Sequence, residues 1–391
     1  MGLMAWQRRA TLVVALGAGI LAAGTGCVAT DGPETSSGPS VWSTSAEPQL
    51  QIGQLEGDPD YLFERVSAVR LLPDGGVIVA DRGFASIRVF GPDGALRATM
   101  GREGEGPGEF QWLGHISLRP PDTLLAYDGS AYRITLFLVD GTLVGTRRIQ
   151  AEDGLPELYL GTYSNGDAAI SWIGSQPRDP TAVSTDLMRM GRFDTEGALV
   201  VSLGTGSGMR RLGRGPVPFS PYFHGFLVRD SVFYTDGLEA EVLVVDENGV
   251  VARTLSLPVP AVASEDAWTT LRAELEERDQ AQALESVPEA AEAEPIPRIA
   301  EVLLDDMARL WVKHYEPKTD SHLLGGWAGA RGGHWTIVET DGTPVAEIDL
   351  PDGFIALDIR NGLVAGMVRD ALGVERVRVY EIESTGFPEG R

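Results

Sequence analysis

The chain has 391 residues, 43% of them hydrophobic, and a formal charge of −24; that length and content supply a sizeable core and exclude general disorder. Acids outnumber bases 56 to 32, a surface that repels a phosphate backbone and argues against nucleic acid as a partner. The single cysteine excludes an intramolecular disulfide and a cysteine-built zinc site, and 48 glycines with 24 prolines fit a chain of many tight turns.

The chain opens with Arg8 and Arg9 and no acid before an apolar stretch, Thr11–Gly24, too short to span a bilayer comfortably. These are the basic and apolar regions of a secretory signal. The lone Cys27 follows Gly24-Thr25-Gly26. Small residues before a single cysteine at the end of an apolar segment resemble the lipobox of bacterial lipoproteins. That resemblance implies removal of residues 1–26, acylation of Cys27 and a lipid anchor in a membrane. Val28-Ala29 lacks the aspartate that retains such lipoproteins in the inner membrane, which implies the outer membrane, facing the periplasm or the cell surface. Residues 27–47 are rich in Ser, Thr, Gly, Pro and Glu, and are expected to form a flexible tether.

From residue 48 to 384 a pattern repeats. Val66–Asp81 reads as strand, Asp74-Gly75 turn, strand; Ser86–Met100 reads as strand, Asp93-Gly94 turn, strand. Short apolar runs bounded by Asp-Gly or Asn-Gly are hairpin signals. The order returns at 115–149, 158–203, 224–257, 299–350 and 354–382. A four-stranded sheet cannot bury both faces alone, so repetition predicts radial stacking into a six-bladed β-propeller, all-β in class. The last unit has three clear strands, and Gln49–Gln54 is expected to supply its missing outer strand and close the ring. Residues 385–391 are a polar tail.

One helical insertion is expected at about 259–297, between the fourth and fifth units. Ser264 stands where an N-cap would, and Trp268, Leu271 and Leu275 share a face. Residues 264–294 carry ten acids and two arginines, which suits either a solvated insertion or a docking element. The stretch Gly101–Phe110, with Gly-Pro-Gly-Glu-Phe, is no phosphate cradle, because a proline and a new strand follow it instead of a helix. With Val79-Ala80-Asp81 and Ile87-Arg88-Val89-Phe90 it resembles NHL repeats. Gly204–Gly208 through Pro216 and Phe219 looks like a decayed second copy. The chain as a whole resembles bacterial six-bladed propeller lipoproteins related to NHL-repeat proteins, a resemblance that implies a fold and a periplasmic setting and no single activity.

The turns within each unit are tight, whereas the long segments, about 173–186, 314–333, 101–111, 204–222 and 259–297, gather at one face. Loops on a rigid scaffold carry function, so the elaborated mouth of the channel is the candidate site. His115 and His224 begin equivalent innermost strands, and Asp81, Asp128 and Asp236 end the strands that follow. They form either a polar ring facing a ligand or, for the aspartates, caps on the turn amides. His314, Glu316, Asp320, His322 and His334 are metal-binding types whose spacing matches no short metal motif. A divalent metal fits such residues, but nothing in the sequence requires a cofactor. No Gly-x-Ser-x-Gly, His-Glu-x-x-His or cysteine nucleophile is present. The reading that follows is a membrane-tethered binding or scaffold lipoprotein holding a protein, peptide or glycan; the alternatives are a metal-assisted hydrolase or lactonase-like propeller and a tethered sensor.

Overall fold

A computed structural model describes residues 39–119, 122–151, 154–175, 182–213, 215–287, 289–321 and 332–383. Cys27, the signal segment, His322 and the polar tail lie outside the described residues. Two strands come first, β1 (Ser40–Thr44) and β2 (Leu50–Ile52). Four sheets follow in chain order. They are β3 (Val66–Leu71), β4 (Val77–Asp81), β5 (Ser86–Phe90) and β6 (Leu96–Met100); then β7 (Leu113–Arg119), β8 (Thr123–Asp128), β9 (Arg133–Leu138) and β10 (Leu143–Arg148). The third is β11 (Leu155–Thr162), β12 (Ala168–Ile173), β13 (Val183–Phe193) and β14 (Leu199–Leu212), with β15 (Gly215–Pro216) on its edge. The fourth is β16 (His224–Val228), β17 (Ser231–Thr235), β18 (Glu241–Val245) and β19 (Val251–Ser256). The units β20 (Ile299–Leu304), β21 (Leu310–His314), β22 (Gly333–Val338), β23 (Pro344–Leu350) and β24 (Ile355–Arg360), β25 (Leu363–Arg369), β26 (Glu375–Glu383) are joined into one nine-stranded sheet by β1, with β2 pairing β26.

The turns explain why each unit folds back on itself. Asp140 and Asp341 accept the amides of Thr142 and Thr343, while Gly141 and Gly342 take the left-handed conformation at φ 96° and 91° that a side chain disfavours. Middle strands such as β4 and β5 are buried along their whole length, as expected of sheets covered on both faces. Apolar clusters fill successive interfaces. One joins β4 and β5 to β7 and β8 around Phe110, and another joins β8 and β9 to β11 and β12 around Tyr127 and Trp172. The series returns to its start where Ile355, Ala365 and Val377 pack on Val66, Val69 and Val79. The first strands also meet in cyclic order, β3 with β7, β7 with β11, β11 with β16, β16 with β20, β20 with β24, and β24 with β3.

Several expectations change. Residues 40–44, read as tether, form β1, because Trp42 is an apolar anchor that the tether composition hides. It is 3% exposed, its ring lies 5.9 Å from that of Trp311, and the Arg309 guanidinium sits 5.1 Å over it. Strand β1 pairs in parallel with β23 and antiparallel with β26. Strand β2 pairs Leu50–Ile52 with Val379–Val377, at the edge the expected closing strand would fill. Gly204–Gly208 is no linker but part of β14, which runs as a long hairpin against β13.

The helix α1 (Ser264–Glu277) lies between β19 and β20 and buries Ala267, Trp268, Leu271 and Leu275. Ser264 is its first residue rather than its cap, and its hydroxyl donates to the Glu292 carbonyl. The stripe packs on Phe219, Ile296 and Tyr315, with the Phe219 and Trp268 rings edge to face at 5.0 Å. A short helix α2 (Pro317–Asp320) meets α1, and Lys318 pairs with Glu274 at 3.1 Å. Below them the fully buried Lys313 donates to Asp320 Oδ2 at 2.5 Å. Burial raises the Asp320 carboxyl from its ordinary value, and Lys313 opposes that rise.

Candidate functional site

Asp81 and Asp128 do not face a ligand. Asp81 accepts the amides of Glu64, Arg65, Gly83 and Phe84, and Asp128 accepts those of Gln111, Trp112, Ser130 and Ala131. Both are 0% exposed. Each carboxylate ties the segment just before the first strand of its sheet to the turn after the second strand, which occupies its lone pairs. Asp236, half-buried, accepts the Leu238 amide at 3.2 Å, and the neighbouring Thr235 hydroxyl accepts the Gly237 amide. The recurrence of these aspartates reflects turn capping.

The two channel histidines occupy equivalent register positions, His115 opposite Tyr127 and His224 opposite Thr235, yet their surroundings differ. The His224 ring lies 6.4 Å from that of Tyr222. The His115 ring packs at 5.6 Å on Tyr159 and lines a cavity of about 770 Å³ in which His224 takes no part. Burial, with the nearby Arg70 charge, lowers the His115 pKa to about 3, so its imidazole is neutral at physiological pH.

Of the expected metal cluster, His314 and His334 meet with rings edge to face at 4.7 Å. His314 Nε2 bonds the Thr336 hydroxyl, and His334 Nδ1 bonds Asp349 Oδ1, both at 2.8 Å. Glu316 accepts the His334 amide, and Asp320 is engaged by Lys313. Burial, then the adjacent His334, lowers the His314 pKa to about 4. Among the described residues no group of three His, Cys, Asp or Glu side chains is placed to hold a metal.

The cavity is where polar groups and open space coincide. It starts among the C-terminal halves of the first strands, with Arg70, Ser117, Tyr159, Gly225, Val302 and Asp358 on its wall, and extends outward between the second and third sheets along Thr123, Leu125, Leu136 and Thr146 to the turns at Gly166 and Thr195. Gly145 leaves open space in this seam, where an added Cβ would meet nothing within 4 Å. The cavity therefore lies beneath the tight turns, not among the long loops.

Its charges have distinct placements. Arg70 Nη1 donates to the carbonyls of Val69 and Leu357 at 2.7 and 2.8 Å, and Asp358 Oδ2 accepts the Leu71 amide at 2.8 Å. Together they seal the seam between β24 and β3. Burial raises the Asp358 carboxyl, and the Arg70 charge opposes that rise. Arg147 reaches across from β10, its Nη1 donating to the carbonyls of Gly166 and Asp194. The Tyr159 hydroxyl bonds that of Thr162. Arg119 ends β7, is exposed, and lines the cavity.

Sequence reading missed Arg70, Arg119, Arg147, Tyr159 and Asp358. A signal was available: Arg70, Arg119 and Arg360 each stand at or next to the end of a first strand, just before its tight turn.

No protein-family model matches the chain, and neither does any curated protein. Among solved structures, a member of the DUF4221 family from Bacteroides vulgatus is similar at 9% identity, covering 89% of this chain and 100% of that one, with a TM-score of 0.50. A protein described as exported, from Bacteroides fragilis, is similar at 11% identity over 87% and 95% of the two chains, TM-score 0.47. Virginiamycin B lyase from Staphylococcus aureus is similar at 10% identity over 86% and 98%, TM-score 0.43. At such identities the likeness concerns the fold alone: the chain is all-β and propeller-like.

Proposed function

We propose that the protein is an exported, membrane-tethered six-bladed β-propeller that binds a ligand in the cavity between its second and third sheets. The cyclic contact of six first strands and the apolar cluster returning from β24–β26 to β3–β5 support the blade number. The strands β1 and β2, drawn from the N-terminal chain, support closure at the sixth blade. The Cys27 context and the basic-apolar segment before it support the tether, and among the described residues no helix is long and apolar enough to cross a membrane.

The observation that carries the binding reading is the cavity itself. Its volume of about 770 Å³ falls within the range of small-molecule pockets, about 300–1,000 Å³. Its wall mixes apolar side chains with many polar groups, and such groups can orient a bound ligand. Its wall draws on the first strands of all six repeating units, β3, β7, β11, β16, β20 and β24, so its shape is fixed by these strands rather than by a loop.

The test is native mass spectrometry of the protein extracted from its host membranes, beside Gly145→Leu. Gly145 lines the cavity, and an added Cβ there meets nothing within 4 Å, so a side chain at this position extends into the space. A co-purifying small molecule present in the wild type and lost in the variant is the expected result. Identical spectra for the two proteins contradict the reading. In the same preparation Cys27→Ser is expected to move the protein out of the membrane fraction; retention there removes the tether from the account.

A further inference from the structure

The charge of the cavity runs against that of the molecule. Arg70, Arg119 and Arg147 line it with a single carboxylate, Asp358, in a chain of net charge −24. Arg70 and Asp358 are engaged at the axis, as described above. The remaining two guanidinium groups lie within electrostatic reach of the Tyr159 hydroxyl, and no carboxylate acts on that hydroxyl. The carboxylates that do act on Arg147 are occupied: Asp167 pairs with Arg192 at 3.4 Å, and Asp194 accepts the amides of Glu196 and Ala198.

The Arg119 side chain makes no hydrogen bond or ion pair with any described residue, and the buried Arg147 Nε finds no partner. Leu118, Leu125, Leu136, Leu160 and Leu227 supply the apolar part of the wall, beside hydroxyls such as those of Ser117 and Thr123.

Resting on the reading of the cavity as a ligand site, we propose that it takes a small amphipathic carboxylate, its oxyanion between Arg119 and Arg147 beside the Tyr159 hydroxyl, its apolar body along the leucines. A monoanion suits this place. One guanidinium is unengaged by any described residue, and the second has its Nη1 held by two carbonyls. A guanidinium matches the planar carboxylate in shape as well as charge.

Octanoate, octyl phosphate and 1-octanol are the probes, titrated calorimetrically into the full mature chain and into Arg119→Ala and Arg119→Lys. Octanoate is expected to bind at least about tenfold more tightly than octanol, a difference of about 1.4 kcal/mol. Arg119→Ala is expected to remove that advantage and Arg119→Lys to restore part of it. The melting temperature of both variants should be unchanged, since the Arg119 guanidinium bonds nothing in the described fold. Octanol binding as tightly as octanoate overturns the carboxylate and leaves the cavity as a ligand site. Octyl phosphate binding more tightly than octanoate overturns the monoanion. Failure of all three probes to bind overturns both the carboxylate and the ligand reading beneath it.

Discussion

The buried groups of this chain divide by what their neighbours leave unsatisfied. Asp128 gives its oxygens to four amides, so Asp128→Ala leaves several buried donors without acceptors and is expected to cost at least about 3 kcal/mol in denaturant unfolding. Octanoate affinity should not change, because the residue is a cap; a stable variant with lost binding contradicts that assignment. His115 makes a different prediction. Its folded pKa of about 3 lies below the ordinary 6.5, so the unfolded chain takes up a proton in that window and the folded chain does not. Stability is complete above pH 6.5 and falls as the pH drops toward 3. His314, at about 4, adds a change of the same sign. His115→Gln is expected to flatten the acid limb of a melting-temperature profile; an unaltered slope indicates that the ring is hydrated. The aspartates were visible in the sequence by their recurrence, but recurrence could not separate a cap from a ligand, since both need one carboxylate per blade. The distinction resides in amides contributed from outside the strand, at Glu64-Arg65 and Gln111-Trp112.

At the scale of elements, the hairpins were legible because many turns carry their own chemistry, Asp or Asn before a left-handed glycine, as at Asp140-Gly141 and Asp341-Gly342. The helix α1 was legible for the same local reason, in the spacing of Trp268, Leu271 and Leu275. Strand β1 was not, because nothing local makes Ser40–Thr44 a strand. Its partners, β23 and β26, lie about three hundred residues away in sequence, and only Trp42 marks it. The consequence is a pair of truncations. Removal of residues 28–38 takes away no described element and is expected to leave the melting temperature unchanged. Removal of residues 28–47 deletes β1, exposes the edges of β23 and β26 and empties the Trp42 site, a loss of about 3–5 kcal/mol for the tryptophan alone. Equal melting temperatures for the two proteins would show that β1 adds nothing to closure.

The whole molecule separates elaboration from space. Long segments, among them the α1 insertion and the residues around His314, cluster at the ends of strands opposite the tight turns. Sequence reasoning placed the site there because loop length is readable one residue at a time. The cavity is not readable that way, since it is lined by strands far apart in the sequence that only the fold brings together. The five histidines make the two locations distinguishable in one experiment. His115 lines the cavity, whereas His314 and His334 pack together among the longer loops. The measurement is an NMR titration of histidine-labelled protein with octanoate. The account predicts that the His115 ring resonances move with ligand while those of His314 and His334 stay fixed; movement of the His314 and His334 signals with a static His115 would contradict it.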